Sequence, residues 1–419
     1  MEMERLKFAH MADIHLGAAS DQALKRLEVE TLERAVNVCL EEGVDFMIIS
    51  GDLFHVNIPD LAVVRDSVRV LMKFVATGRK IYVVYGSHDF SPNSTSIIDI
   101  LEEAGVLVRV GKPQAVEGKL RPSVVRDGRS GALLTGISGR RASLERQAFL
   151  DLDREYLQGL RGFKIFVFHT GIEEVRKEGE RYEGIPSTDL PRGFDYYAGG
   201  HIHRRIEVTK GMNLVFPGPL FTGWGADMEV TVKGEKRGMY IVEADGGVKP
   251  RFVDMTPLGG IFKEFQATGL SPQVLNGRLM AFAVEADVAG KLVVVKVFGE
   301  LSTGKTAEVD FNGFREALAK RGAVYLHLSR GQLRSREMVA VTVGGSEPGE
   351  IEEKVFAELA GAVKVGEGTL KEEPVKAAKD LLMQLRVPKR EGETESDYES
   401  RFMEAAVRVL GIGKFLEGE

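Results

Sequence analysis

The residues able to do chemistry are gathered in one half of the chain. The histidines stand at 10, 15, 55, 88, 169, 201, 203 and 327, seven of the eight within the first 203 residues. Most come directly after an apolar run, alone or with an aspartate. Asp13 and His15 follow KFAHMA, Asp52 follows FMIISG, and His88 and Asp89 follow IYVVYGS. His169 ends KIFVFH, and His201 and His203 follow YYAGG. In an extended segment residues i and i+2 point to the same side, so Asp13 with His15, and His201 with His203, are expected to face common points. A carboxylate can bridge two cations, and imidazole with carboxylate suits divalent Mn, Fe or Zn. Two such ions about 3.5–4 Å apart can hold a phosphodiester, lower the pKa of a water and stabilise a leaving oxygen. A lone DxH or HxH is commonplace. Five blocks of this kind, all at the ends of apolar runs, point to a metal or catalytic site.

Strands and helices must position these blocks. FMIIS (46–50), IYVVYG (81–86) and KIFVFH (164–169) read as buried strands. Helical spacing covers 21–42, with Leu24, Leu27, Thr31, Ala35 and Val38 on one face, and 60–77, with Leu61, Val64, Val68, Leu71 and Val75. Such alternation predicts a layered α/β core with its functional groups at strand ends. From 196 to 255 the pattern turns to short strands punctuated by Gly and Pro. Near Pro257 a small α+β module begins: strand 292–298, helix 311–322 and strand 325–329. GGSEPGE (344–350) reads as a linker. A helix starting at Pro374 carries Val375, Ala378, Leu382 and Leu385 up to Pro388, and Ser396 with Glu399 makes a capping-box pattern before Phe402, Ala405, Ala406 and Val409. The expected division is 1–255, 256–343, a linker region 344–370, and a helical segment 371–419.

Composition narrows the class. The chain has 419 residues, 43% hydrophobic and 28% charged, as in an ordinary soluble globular protein. Lys and Arg number 56 against 62 Asp and Glu, a net charge of −6. Binding to a phosphate backbone would therefore need local basic clusters or metal ions. Arg140–Arg141, Arg204–Arg205 and Arg330, Arg334 and Arg336 are such clusters. Arg204 and Arg205 directly follow the HxH block, where they could hold the backbone of a substrate. The single cysteine, Cys39, excludes an intrachain disulfide and an all-cysteine zinc site. No apolar run approaches the roughly 18 residues of a membrane span, and MEMERLKFAH lacks a secretory core. A cytoplasmic protein with no membrane partner is expected.

The series DIHLG, GDLFH, GSHD, FHTG and GGHIH resembles the calcineurin-like metallophosphoesterases, and FAHMADIHLG, GDLFH and FPGPLF look like the SbcD nucleases and the related meiotic-recombination-eleven-type repair nucleases. The motif resemblance covers about 1–222. It implies a layered metallophosphoesterase sandwich with a small capping domain and C-terminal helices. It also implies a manganese-dependent DNA exonuclease and endonuclease that serves double-strand-break repair. By motif, Asp13, His15 and His203 would bind one divalent ion, Asp52 would bridge two, and His169 and His201 would bind the second. His88 would stabilise the transition state and protonate the leaving oxygen, with Asp89 orienting it. His55 matches a histidine that positions DNA. The family has Asn where this chain has Ser87, a shorter and poorer neutral ligand, which puts the affinity of the second ion in question. His10 and His327 are expected to be structural.

The resemblance also implies partners: DNA, a second copy of the chain through helices near 60–77 and 94–104, and an SMC-like coiled-coil ATPase on the C-terminal helices. Residues Gly299 to Thr306 read GELSTGKT, a full P-loop pattern. AEVDF follows, with no helix to offer its N-terminus to a phosphate, so a turn is expected, with Lys305 free to touch a DNA phosphate. Two other functions fit the same motifs: a phosphodiesterase for small molecules, and a DNA-bridging scaffold with a nuclease site weakened at Ser87.

Overall fold

A computed structural model describes residues 5–90, 95–139, 145–177, 182, 184–209, 211–221, 223–335, 355–357, 373–388 and 395–410. Arg140, Arg141, Arg336 and most of 344–370 lie outside the described residues. The chain forms two compact units, one comprising Met1–Glu264, Phe282–Lys296 and Asn312–Ser329, the other Phe265–Ala281, Val297–Phe311 and Arg330–Glu419.

The first unit is built on two six-stranded sheets. One runs, in spatial order, Val248–Asp254, Gly238–Ala244, Leu6–Met11, Phe46–Ser50, Lys80–Val84 and Val108–Arg109. The other runs Ile206–Val208, Leu214–Phe216, Tyr196–Gly200, Lys164–His169, Leu133–Ile137 and Val125–Arg126. Leu6–Met11, Phe46–Ser50 and Lys80–Val84 are mutually parallel, and so are Leu133–Ile137, Lys164–His169 and Tyr196–Gly200.

Alternation along each strand separates two faces. Phe8, Phe46, Ile48, Tyr82 and Val84 pack with Ile165, Val167, Tyr196 and Ala198 of the other sheet. Their neighbours Ala9, Met11, Met47, Ile49, Ile81 and Val83 pack with Leu32, Val36, Val70 and Phe74 of helices Gln22–Glu41 and Leu61–Val75. Phe166, Phe168 and Tyr197 close the far side with Phe149 and Leu157. The layers are therefore helix, sheet, sheet, helix. Central strands are buried on both faces, which is why they read as unbroken apolar runs. The two long helices start where the sequence supplies caps: Asp21 accepts from the amides of Ala23 and Leu24, and Asp60 from that of Ala62.

Three differences from the sequence reading have local causes. The stretch 196–255 contains a helix, Gly225–Val232, among its short strands. Its β-branched end and the Trp224 N-cap, which makes no side-chain capping bond, hide it from propensity. Helix Pro272–Glu285 was not anticipated either. Helix Glu395–Leu410 begins two residues earlier than a cap at Ser396 would place it, so Ser396 lies in its first turn and not at a cap.

A three-stranded sheet, in the order Gly260–Gln266, Leu292–Glu300, Tyr325–Arg334, forms the α+β module. The GKT segment is a turn. After Leu292–Glu300 comes only a short 3-10 segment, Thr306–Glu308, and the next helix begins at Phe311. Glu308 Oε1 accepts the Lys305 amide at 3.0 Å, placing a carboxylate on an amide that a bound phosphate would need. Among the described residues no helix is long and apolar enough to cross a membrane.

Candidate metal centre

All five blocks lie at the C-terminal ends of parallel strands. Asp13 and His15 leave Leu6–Met11, Asp52 leaves Phe46–Ser50, and Ser87 and His88 follow Lys80–Val84. His169 ends Lys164–His169, and His201 and His203 leave Tyr196–Gly200. Asp13 and His15 do meet, but not through an extended segment. Their φ values are 50° and 49°, that of Asp52 is 51° and that of His201 is 91°. These are four of the five non-glycine residues with positive φ among the described residues. Each such conformation costs on the order of 1–3 kcal/mol and persists where packing over-determines it. Here the loops are tied together: the Asp13 amide donates to Gly51 O at 3.2 Å and the His15 amide to Asp52 O at 2.9 Å. Gly86 is required by close approach, since a Cβ there would lie 2.0 Å from Asp52 Oδ1.

Three groups of side chains bring one ligand atom each within 4.8 Å of one another: Asp13, His15 and His203; Asp13, Asp52 and His169; His15, His55 and His88. Asp52 Oδ2 lies 3.2 Å from His169 Nε2 and 3.6 Å from His15 Nε2, between the two imidazoles. His15 Nε2 and His203 Nε2 face each other at 3.1 Å. Two ring contacts set which nitrogen points inward. His169 Nδ1 donates to Ser50 O at 2.8 Å, and His203 Nδ1 donates to Asp227 Oδ2 at 2.8 Å, so each ring presents Nε2 to the centre. His169 Nε2 is buried with no hydrogen-bond partner. This orphaned nitrogen, two buried carboxylates and a mixed N/O donor set fit divalent transition-metal ions. His201 stands outside the three groups. Its amide donates to Asp13 Oδ1 at 2.9 Å and its ring lies 5.3 Å from that of His169.

The charges of these groups depend on one another. Burial works to lower the His169 imidazole, but the adjacent Asp52 outweighs it and raises the group to about 10. Burial works to raise Asp52, and the charge of His169 beside it holds it well below the usual carboxylate range. Burial raises Asp13 to about 6 against the pull of His169 and His203. Burial lowers His15 to about 3 and His201 to about 4. For His203 the lowering by burial is outweighed by its hydrogen bond to Asp227, and the net shift is upward.

His88 borders this centre, with its ring 4.8 Å from that of His15 and its amide donating to Asp52 Oδ1 at 2.8 Å. Asp89 does not orient the His88 ring. That ring is held by His55 O, 2.6 Å from His88 Nδ1. Asp89 is fully buried and accepts from the amides of Asp52 and Gly86 at 2.8 and 2.9 Å, so it shapes the loops beneath. Ser87 is half-buried beside His88. His55 stacks on His88 at 5.0 Å and 27°. His10 is fully buried between Tyr196 Oη at 3.0 Å and Ser50 Oγ at 2.9 Å, and the half-buried His327 packs on Gly225. Arg204 donates to Val175 O, and Arg205 lies over the Phe252 ring at 4.6 Å, so both guanidinium groups have contacts within the protein.

Three supporting residues escaped the sequence reading. Asp227 comes from the unanticipated helix. Arg237, 1% exposed, donates to Thr231 Oγ1, to His203 O and to Asp227 O. Glu28 accepts from the amides of Gly17, Ala19 and Gly223, joining the His15 loop to the loop ahead of Trp224.

Residues 6–205 match the calcineurin-like phosphoesterase family. The chain is 30% identical over 231 residues to the DNA double-strand break repair protein Mre11 of Archaeoglobus fulgidus, covering 51% of this chain and 49% of that one. It is 28% identical over 221 residues to Mre11 of Sulfurisphaera tokodaii, covering 51% and 53%. With Mre11 of Thermoplasma acidophilum it shares 25% identity over 329 residues, 74% of this chain and 82% of the relative. The first two matches thus span about half the length of those relatives. With Asp13, Asp52, His169 and His203 converging at the ends of two facing sheets, residues 6–205 form a calcineurin-like metallophosphoesterase domain, related to the Mre11 double-strand-break repair proteins.

Proposed function

We propose that this chain is a metal-dependent deoxyribonuclease of double-strand-break repair, and that manganese is its metal. The observation that carries this reading is Asp52 standing between His15 and His169, with Asp13 and His203 alongside. Asp13, His15 and His203 would hold one ion, His169 the second, and Asp52 both, with His201 and Ser87 nearby on the second side. Bound there, such ions would grip a phosphodiester and lower the pKa of a water. The protein's own part is positioning and proton supply. His88 Nδ1 is committed to His55 O, so in its protonated form Nε2 is the atom that hands a proton to the departing sugar oxygen.

The partners belong to the same proposal. Ile58, Leu61 and Ile100 are exposed at 72%, 80% and 55%, an apolar surface suited to a second copy of the chain. Met383, Leu385 and Met403 are exposed at 64%, 59% and 58% on helices Pro374–Leu385 and Glu395–Leu410, a surface suited to the coiled-coil ATPase. The module 256–343 would bear on DNA, with Lys305, Arg330 and Arg334 as its basic residues. The test is degradation of linear duplex DNA with added manganese, beside hydrolysis of a small aryl phosphodiester. Degradation of DNA that Asp52→Ala abolishes is expected. Hydrolysis of the small diester with intact DNA would point to a small-molecule phosphodiesterase.

A further inference from the structure

Trp224, the chain's single tryptophan, is not explained by the fold. It occupies the N-cap of helix Gly225–Val232, where Ser, Thr, Asp or Asn would satisfy a free amide, and its side chain makes no capping bond. It is 48% exposed, a large apolar surface left facing solvent. Its surroundings are specific. The indole lies 5.9 Å from the His203 ring at an interplanar angle of 80°, and 6.0 Å from the His55 ring at 54°. Its loop is anchored: the adjacent Gly223 amide donates to Glu28 Oε1 at 2.9 Å. Three residues on, Asp227 holds His203. A half-exposed aromatic side chain thus stands beside the candidate metal ligands.

We propose that Trp224 is a stacking platform for a nucleobase of the strand being cut. This rests on the nuclease reading above and names the residue that would engage a base that is unpaired and free to leave its stack. A phosphate over His15, His203 and Asp52 carries its base one sugar away, within reach of the indole. Stacking on an aromatic side chain is tolerant of sequence, because every base has a π face. A base held inside a duplex has no such face to offer, so the platform favours frayed ends and single strands.

With only one tryptophan, the emission of the full chain reports on this position directly. The protein in manganese is titrated with a nuclease-resistant phosphorothioate oligothymidylate and with an abasic strand of equal length and charge. The base-bearing strand is expected to quench the emission and to bind more tightly than the abasic one. With end-labelled strands followed by anisotropy, Trp224→Ala is expected to reduce that preference roughly ten- to hundredfold, and Trp224→Tyr to retain most of it. Binding of both strands with equal affinity and no change in emission would overturn the platform while leaving the nuclease reading in place. A preference unchanged in Trp224→Ala would also overturn it. Failure of the wild-type protein to bind either strand would remove the nuclease reading and the platform with it.

Discussion

Asp227 offers the sharpest test of how the centre is held. Its Oδ2 receives the Nδ1 proton of His203 at 2.8 Å, with the two side chains 8% and 24% exposed. That bond directs His203 Nε2 toward His15, and it involves a charged acceptor. Such hydrogen bonds contribute about 1.5–3 kcal/mol. At about 1.4 kcal/mol per decade, Asp227→Ala should weaken ion binding by roughly ten- to hundredfold, the range seen when such supporting groups are removed. Asp227→Asn keeps an oxygen acceptor and loses the charge, so it should fall between wild type and alanine. Arg237 complicates the stability of the variant only modestly. It loses a carboxylate 3.7 Å away but keeps its bonds to Thr231, His203 O and Asp227 O, so a loss of about 1–3 kcal/mol is expected. Calorimetric titration with manganese, beside hydrolysis of a phosphodiester and a thermal melt, separates these effects. If Asp227→Ala folded, bound manganese with wild-type affinity and kept its turnover, the hydrogen bond would not be what orients His203.

Four other outcomes follow from the structure. His169 is raised from 6.5 to about 10 by Asp52, so an ion must displace its proton. Manganese affinity should rise about tenfold per pH unit from neutrality toward pH 10, with proton release seen as buffer-dependent titration heats; a flat profile would contradict the pairing. The same pair predicts the pH dependence of stability in chelator. The raised His169 contributes fully below pH 6.5 and loses its contribution as pH climbs through about 10, whereas the depressed Asp52 contributes above its ordinary 3.8 and loses it as pH falls below that. Melting temperature should therefore drop at both extremes, and a maximum near pH 10 would refute the assignment. Gly86→Ala would place a Cβ 2.0 Å from Asp52 Oδ1; loss of manganese uptake in a protein that still folds is expected, and unchanged uptake would show that Asp52 has room to move. Finally, the GKT turn should take up no ATP in a direct binding assay, because Glu308 caps the Lys305 amide; saturable binding that Lys305→Ala removes would reinstate a P-loop.

The strands and the order of the motifs were legible from the residues alone. Phe46–Ser50 and Lys164–His169 are packed on both faces, so burial writes itself into the sequence as an uninterrupted apolar run, and the polar residue that ends each run marks the strand's end. Helices Gln22–Glu41 and Leu61–Val75 were legible as helices from their apolar spacing, but the second turns a different face inward: Val63, Ser67, Val70, Leu71 and Phe74 are buried, while Leu61 of the expected stripe is 80% exposed. What holds the ligands in place was not visible. Asp227 is one of many acids, and its bond to His203 exists only because helix Gly225–Val232, poor in helix signals, brings it there. Asp89 looked like a partner for its neighbour His88, but its carboxylate accepts instead from the amides of Asp52 and Gly86, on two different loops. The residue types of the centre are a property of the sequence. Their protonation, their tautomers and the direction of each ring arise from contacts between segments as far apart as those of Asp13 and His203, and short-range pattern carries no record of those.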